Sequence, residues 1–249
     1  MSNHFEKDYQ YHQVIAREYD DVVVAPRVVT NDYLYSRFSP LVKPGERMLD
    51  LACGTGHMTL RFGGRFREVV AIDHSDAMLE RAREKAAAAG MSNVDFRQGN
   101  IFEFQAAAAA DSFDLVCCTG FLHHLLPAQI PETAAQLFPH IRKGGLIMTS
   151  EPIKADAPPS VIRKWNEKSV MTSLNYSVHA EAPDEEAIEL GVLVGALAGA
   201  GFCVEKTYRN WEIYPKNMPP GAWDRIAIIT LNLLYGKNGN VFTIAARKD

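Results

Sequence analysis

The stretch Met48-Leu49-Asp50-Leu51-Ala52-Cys53-Gly54-Thr55-Gly56-His57 brings an apolar run to an acid and then to a turn with two glycines. Gly54 and Gly56 permit backbone conformations, and a close approach by a ligand, that a Cβ would obstruct. The Asp50 carboxylate can accept hydrogen bonds from amino or hydroxyl groups of such a ligand. A second acid, Asp73, ends the apolar run Val69-Val70-Ala71-Ile72. It lies about 20 residues beyond the turn, the spacing at which dinucleotide folds grip a ribose diol. Asn100, in Gly99-Asn100-Ile101 after Val94-Asp95-Phe96, is a third candidate. Polar tips at three successive strand ends describe a nucleoside pocket. His123 and His124 add imidazoles able to act as a general base near neutral pH. The same pair serves equally as a helix-start wall of the pocket. Glu151 could orient a substrate amine or hydroxyl, or act as a capping acid; His179 is a further candidate for substrate contact. The adjacent histidines have no acid at ligand spacing, so no metal site is expected.

These residues need strands to carry them, and the chain supplies a regular alternation from residue 46 onward. Apolar runs predict strands near 46–51, 67–73, 93–98, 112–118 and 145–150, with helices near 57–66, 75–89 and 129–142. Ser75 should cap the second of these helices and Gly90 should end it. Gly63-Gly64 should end the first one early. Residues 4–40 read as helical, with Pro26 opening a second helix. Residues 152–182 break the alternation with Pro152, Pro158 and Pro159 and then a helix-like 161–174, an insertion above the edge where ligands bind. The apolar helix over 187–200 carries Gly191, Gly195 and Gly199, read as close packing of helix on sheet. Strands near 202–208 and 241–246 complete the pattern, with a helix over 223–235 between them. The result is a doubly wound, Rossmann-like α/β fold.

The glycine turn and the acid after it resemble those of the class I S-adenosylmethionine-dependent methyltransferases. Asp50-Leu51-Ala52-Cys53-Gly54-Thr55-Gly56 looks like their first motif, with Ala52 where many members have glycine. Asp73 matches the acid that holds the ribose hydroxyls, and Asn100 stands where many members have Asp beside the adenine. Phe113-Asp114-Leu115-Val116, Phe121-Leu122-His123-His124-Leu125 and Ile141-Arg142-Lys143-Gly144-Gly145-Leu146 resemble the fourth strand, its following segment and the turn before the fifth. The resemblance is close over residues 45–151. It implies a seven-stranded sheet, parallel except for an antiparallel final strand. It divides one domain, 1–249, into an N-terminal helical cap (1–44), a cofactor-binding core (45–151), a lid insertion (152–182) and a C-terminal part (183–249).

The cofactor so implied is S-adenosyl-L-methionine. The backbone around Ala52-Cys53-Gly54 and Thr119 would meet its methionine part, Asp73 the ribose, and Asn100 with Ile101 the adenine, with Asp50 and Gly56 also at the cofactor. His74 and Met78 would flank the adenosine. The N-terminal helices would close over the cofactor, bringing Tyr19 to it and Tyr11 or Tyr19 to the substrate. The implied reaction is methyl transfer to O, N or C of a small molecule, driven mainly by alignment. A cofactor-binding protein without transferase activity is the alternative. A nicotinamide dehydrogenase would need G-x-G-x-x-G, which the turn does not reproduce. Family members that methylate nucleic-acid bases carry a Pro-Pro-aromatic or Pro-Cys motif after the fourth strand, where this chain has Thr119-Gly120-Phe121-Leu122.

The net charge of −4 tilts further against a nucleic-acid partner. The four cysteines fall in or beside strands and read as small apolar residues of a reducing, cytoplasmic setting. No apolar run reaches the roughly 20 residues of a membrane span. The expected partner is the small-molecule acceptor, with a homodimer left open.

Overall fold

The computed structural model describes residues 3–100, 110, 112–153, 187–212 and 219–249. Residues 154–182 of the expected lid, with its helix-like 161–174 and His179, and Ile101 lie outside the described residues. Seven strands form one sheet: β1 Gly45–Leu51, β2 Phe66–Asp73, β3 Val94–Gln98, β4 Phe113–Cys117, β5 Ile141–Pro152, β6 Phe202–Asn210 and β7 Val241–Lys248. Their order is β3-β2-β1-β4-β5-β7-β6. The first five strands run parallel, and β7 pairs antiparallel with both β5 and β6. The order reverses direction between β1 and β4. That is the switch point at whose carboxyl edge doubly wound sheets open a crevice for ligands.

The helices are α1 Asn3–Ile15, α2 Val28–Phe38, α3 His57–Phe62, α4 Asp76–Ala88, α5 Gln129–Leu137, α6 Leu190–Gly199 and α7 Ala222–Tyr235. Successive strand residues point to opposite faces, so the apolar runs of the central strands build two cores. On one face Leu49, Leu51, Val70, Ile72, Val116 and Ile147 pack with Ile130 and Leu137 of α5 and with Leu193 and Leu197 of α6. On the other, Met48, Val69, Leu115 and Met148 meet Leu34 and Phe38 of α2 and Met58 and Phe62 of α3. Burial on both faces is why these strands read as continuous apolar runs rather than alternations.

The local signals act as expected. The Ser75 hydroxyl accepts the Met78 N–H at 3.2 Å and caps α4. The first helix stops at Phe62 and tightens into a 3₁₀ turn over Gly63–Arg65. Pro26 sits in a 3₁₀ turn just before α2 begins at Val28. One expectation is corrected. Gly191, Gly195 and Gly199 have nothing within 4 Å of where a Cβ would stand, and α6 packs through Leu193, Ala196 and Leu197 instead. The glycines lie on the opposite side of that helix and make no close approach.

Among the described residues the sheet ends on β3 and β6. Charges flank both edges: Arg97 pairs with Asp95 on β3, and Glu205 of β6 with Arg247 of the neighbouring strand. The register of β6 also slips between Val204 and Lys206.

Candidate functional site

A cavity of about 440 Å³ opens at the switch point. Its floor is the loop after β1. Ala52 takes φ +54°, Gly54 +52° and Gly56 +81°, so the chain turns left-handed at three positions within five residues. A Cβ on Gly54 would meet no protein atom within 4 Å, and Gly54 lines the cavity, so the missing side chain leaves room for a ligand. Ala52 is the only non-glycine with positive φ among the described residues. An L-residue there carries a steric cost of about 1–2 kcal/mol. Ala52→Gly should therefore stabilise the fold by about 0.5–1 kcal/mol after the extra chain entropy of glycine, read as a higher urea midpoint at unchanged m-value. A lower midpoint would refute strain at this turn.

Asp73 ties the loops together. One carboxylate oxygen accepts the Gly54 N–H at 2.7 Å and the other accepts the Ser75 N–H at 2.9 Å. Asp50 is buried, and its Oδ2 accepts the backbone N–H (2.8 Å) and hydroxyl (2.6 Å) of Thr59 at the start of α3. Burial raises its carboxyl to about 7, against the Thr59 hydrogen bonds that lower it and with the Asp73 charge adding to the rise. His57, also on the cavity wall, is lowered to about 4 by burial and by the charges of Arg61 and Lys85. It is neutral at physiological pH.

The N-terminal segment forms the roof. Ile15 and Ala16 pack on Met78 with Tyr11 and Tyr19 around them, and the Gln13 amide bonds Asp76 and the Ala77 N–H at the start of α4. Asp20 accepts from the Thr55 hydroxyl at 2.8 Å and from Lys85 at 2.6 Å, clamping the roof to the glycine loop. Tyr11 and Tyr19 both line the cavity.

The wall after β4 is a 3₁₀ turn over Leu122–His124. His123 Nδ1 lies 2.8 Å from Glu151 Oε2, and Glu151 is fully buried. The carboxylate also accepts from the Thr149 hydroxyl (2.7 Å) and the backbone N–H groups of Phe121 (3.3 Å) and His123 (3.4 Å). With Glu151 as acceptor the ring hydrogen sits on Nδ1, which makes Nε2 the proton-accepting nitrogen. Glu151 thus orients an imidazole and caps backbone N–H groups of the turn, where the sequence left open a substrate-orienting or a capping acid. His124 stacks near His123, ring centroids 4.2 Å apart, but turns to Asp8 of α1 with Nδ1 at 2.9 Å from Oδ1.

Of the expected site residues, the cavity brings together Tyr19, Asp50, Ala52, Gly54, Asp73, His74, Met78, Thr119, His123 and His124. Gly56 instead begins α3. Asn100 is exposed beyond β3 and is not among the cavity residues. The sequence reading missed Asp8, His12, Arg27, Asn31, Tyr35, Glu212 and Asn240, all on the wall. Only Asp8 and His12 carried a signal, a four-residue spacing that puts both on one helix face.

Residues 48–145 match the family model described as a methyltransferase domain. Those residues carry a methyltransferase domain. The chain is similar over 164 residues, at 28% identity, to the carboxy-S-adenosyl-L-methionine synthase of Wolinella succinogenes, covering 63% of this chain and 66% of the relative. It is 34% identical over 116 residues to the trans-aconitate 2-methyltransferase of Deinococcus radiodurans, covering 46% of this chain and 41% of the relative. The chain thus spans no more than 66% of the length of these curated relatives. In overall fold the chain is similar to the DhpI–SAH complex, with a TM-score of 0.64 at 16% identity over 100% of this chain and 98% of that one. No helix among the described residues is long and apolar enough to cross a membrane.

Proposed function

We propose that this protein transfers a methyl group from S-adenosylmethionine to a small molecule, and that the accepting atom sheds a proton to His123. When bound, the cofactor supplies a methyl group on a sulfonium, whose leaving group is a neutral thioether. In this reading Asp73 would hold the ribose hydroxyls, the open face of Gly54 would admit the methionine part, and Asp50 would receive its ammonium group. The observation that carries the base assignment is the 2.8 Å contact of His123 with the buried Glu151 in the wall of the same cavity. A carboxylate-held imidazole is suited to O–H and N–H acceptors, because carbon or thioether acceptors without an acidic proton have no use for it. The acidic balance of the chain favours a small metabolite over a nucleic acid. The four free cysteines agree with a reducing, cytoplasmic setting.

Calorimetry with S-adenosylhomocysteine, followed by transfer of labelled methyl onto phenols, hydroxy acids and amines, tests this reading. The expected results are saturable binding, a labelled product from at least one class, and binding weakened about 10- to 100-fold in Asp73→Ala, the cost of losing a charge-assisted hydrogen bond. No saturable binding overturns the reading. Binding without transfer to any class would mark a cofactor protein that does not methylate.

A further inference from the structure

We propose that Asp8, His12 and His124 bind a divalent transition-metal ion at the roof of the cavity. No metal site was expected here, because no acid stands at ligand spacing from the His123-His124 pair in the sequence. The fold supplies that acid from α1. Asp8 and His12 are one helical turn apart on α1, His124 ends the turn after β4, and one donor atom from each lies within 4.8 Å of the others. Tetrahedral bonds of about 2.0–2.2 Å put donors about 3.3–3.6 Å apart, so the side chains would draw in by up to roughly 1.5 Å around an ion.

Burial makes the cluster unlike a set of surface side chains. Asp8 is 5% exposed and His124 8%. A buried carboxylate is costly unless a positive charge compensates it. Three imidazoles surround this one: His124 Nδ1 at 2.9 Å and His12 Nδ1 at 3.3 Å from Oδ1, and His74 Nε2 at 3.3 Å from Oδ2. Yet Asp8 Oδ1 and His74 Nε2 are both buried without an aligned hydrogen bond. The His12 ring is anchored by Nδ1 on the Asp8 carbonyl oxygen at 2.9 Å, and His74 Nδ1 lies 3.5 Å from Asp73. Such outer contacts are what hold metal-ligating imidazoles in place.

Two imidazoles and one carboxylate suit zinc or a neighbouring first-row ion, whereas magnesium and calcium prefer all-oxygen sets. Three protein ligands leave a coordination position toward the cavity, as catalytic rather than structural sites do. An acceptor oxygen bound there would lie in the same cavity as His123. Ion binding itself does not depend on the methyl-transfer reading.

The test uses the untagged full chain, stripped with chelator and titrated with Co²⁺, with Zn²⁺ as competitor. The expected result is one cobalt per chain with visible ligand-field bands, displaced by zinc. Asp8→Asn and His124→Gln should each weaken uptake by roughly 100-fold, at least the loss that follows removal of an outer contact. His140→Gln, outside the cavity, should bind as wild type. Circular dichroism and S-adenosylhomocysteine calorimetry on the same metal-free proteins show that the variants are folded and read the cofactor site separately. No saturable uptake, or uptake unchanged in both variants, overturns the proposal. Equal displacement by Mg²⁺ overturns the assigned ion class.

Discussion

On the proposed function, His123→Gln should lower methyl transfer by about two to four orders of magnitude, the usual contribution of a positioned base, while S-adenosylhomocysteine should bind as to wild type. The split follows from the geometry, since the His123 ring contact runs to Glu151 and the cofactor loop is held by Asp73. Glu151→Gln tests the same pair from behind. With its oxygen at the Oε1 position the amide can still accept from Thr149 and the Phe121 N–H, and only the long bond from the His123 N–H to Oε2 is lost. Its effect on the imidazole is different, because an amide facing Nδ1 can favour the wrong tautomer. A loss of similar size is therefore expected. His124→Gln changes a ring that faces Asp8, and a smaller loss in metal-free protein separates the two histidines. Full turnover in both His123→Gln and Glu151→Gln would remove the base from the mechanism.

Asp50→Asn should move stability and cofactor affinity in opposite directions. The carboxyl is raised from its usual 3.8 to about 7, chiefly by burial. A carboxyl raised on folding keeps more protons in the native state than in the unfolded state between these values. Its contribution to stability is thus fully present below pH 3.8 and is lost as pH rises through about 7. The shift bounds the loss at about 4 kcal/mol. Asparagine can accept the same Thr59 bonds without a charge, so the variant should be about 1–3 kcal/mol more stable than wild type at pH 8. The gain should shrink to nothing near pH 4. Chemical denaturation across this pH range checks it, and a gain independent of pH would show that the buried charge is not its source. Cofactor binding should weaken about 10- to 100-fold, because an ammonium group beside Asp50 offsets the burial that the free protein bears. For the same reason wild-type affinity for S-adenosylhomocysteine should rise as pH passes upward through about 7.

The part of the site legible in the sequence is the part carried by strand ends. Asp50, Gly54, Asp73 and Thr119 each follow an apolar run directly, and a parallel sheet delivers all such tips to one edge. Asn100 is placed differently, because β3 lies at the margin of the sheet, two strands from the switch point, and its tip is not in the wall of the cavity. The roof was less legible. Asp8 and His12 take their meaning from His124 and His74, and nothing local in α1 announces contacts across so long a separation. The same holds for His123 and Glu151, which belong to the segments after β4 and at the end of β5. Their pairing depends on Phe121 and Thr149 holding the carboxylate between them. The glycines of α6 misled for a simpler reason. Spacing of four places residues on one helix side, but does not say which side faces the sheet.

The margins of the sheet limit how copies of this molecule can associate. A strand from another chain would have to align its main-chain groups with β3 or β6. Arg97 and Asp95 lie along the first, and the slipped register at Val204/Lys206 interrupts the ladder of the second. Both devices oppose edge-to-edge growth. Concentrated solutions should accordingly resist fibril formation, and any stable pair of molecules must be cemented by side chains rather than by a shared, continuous sheet.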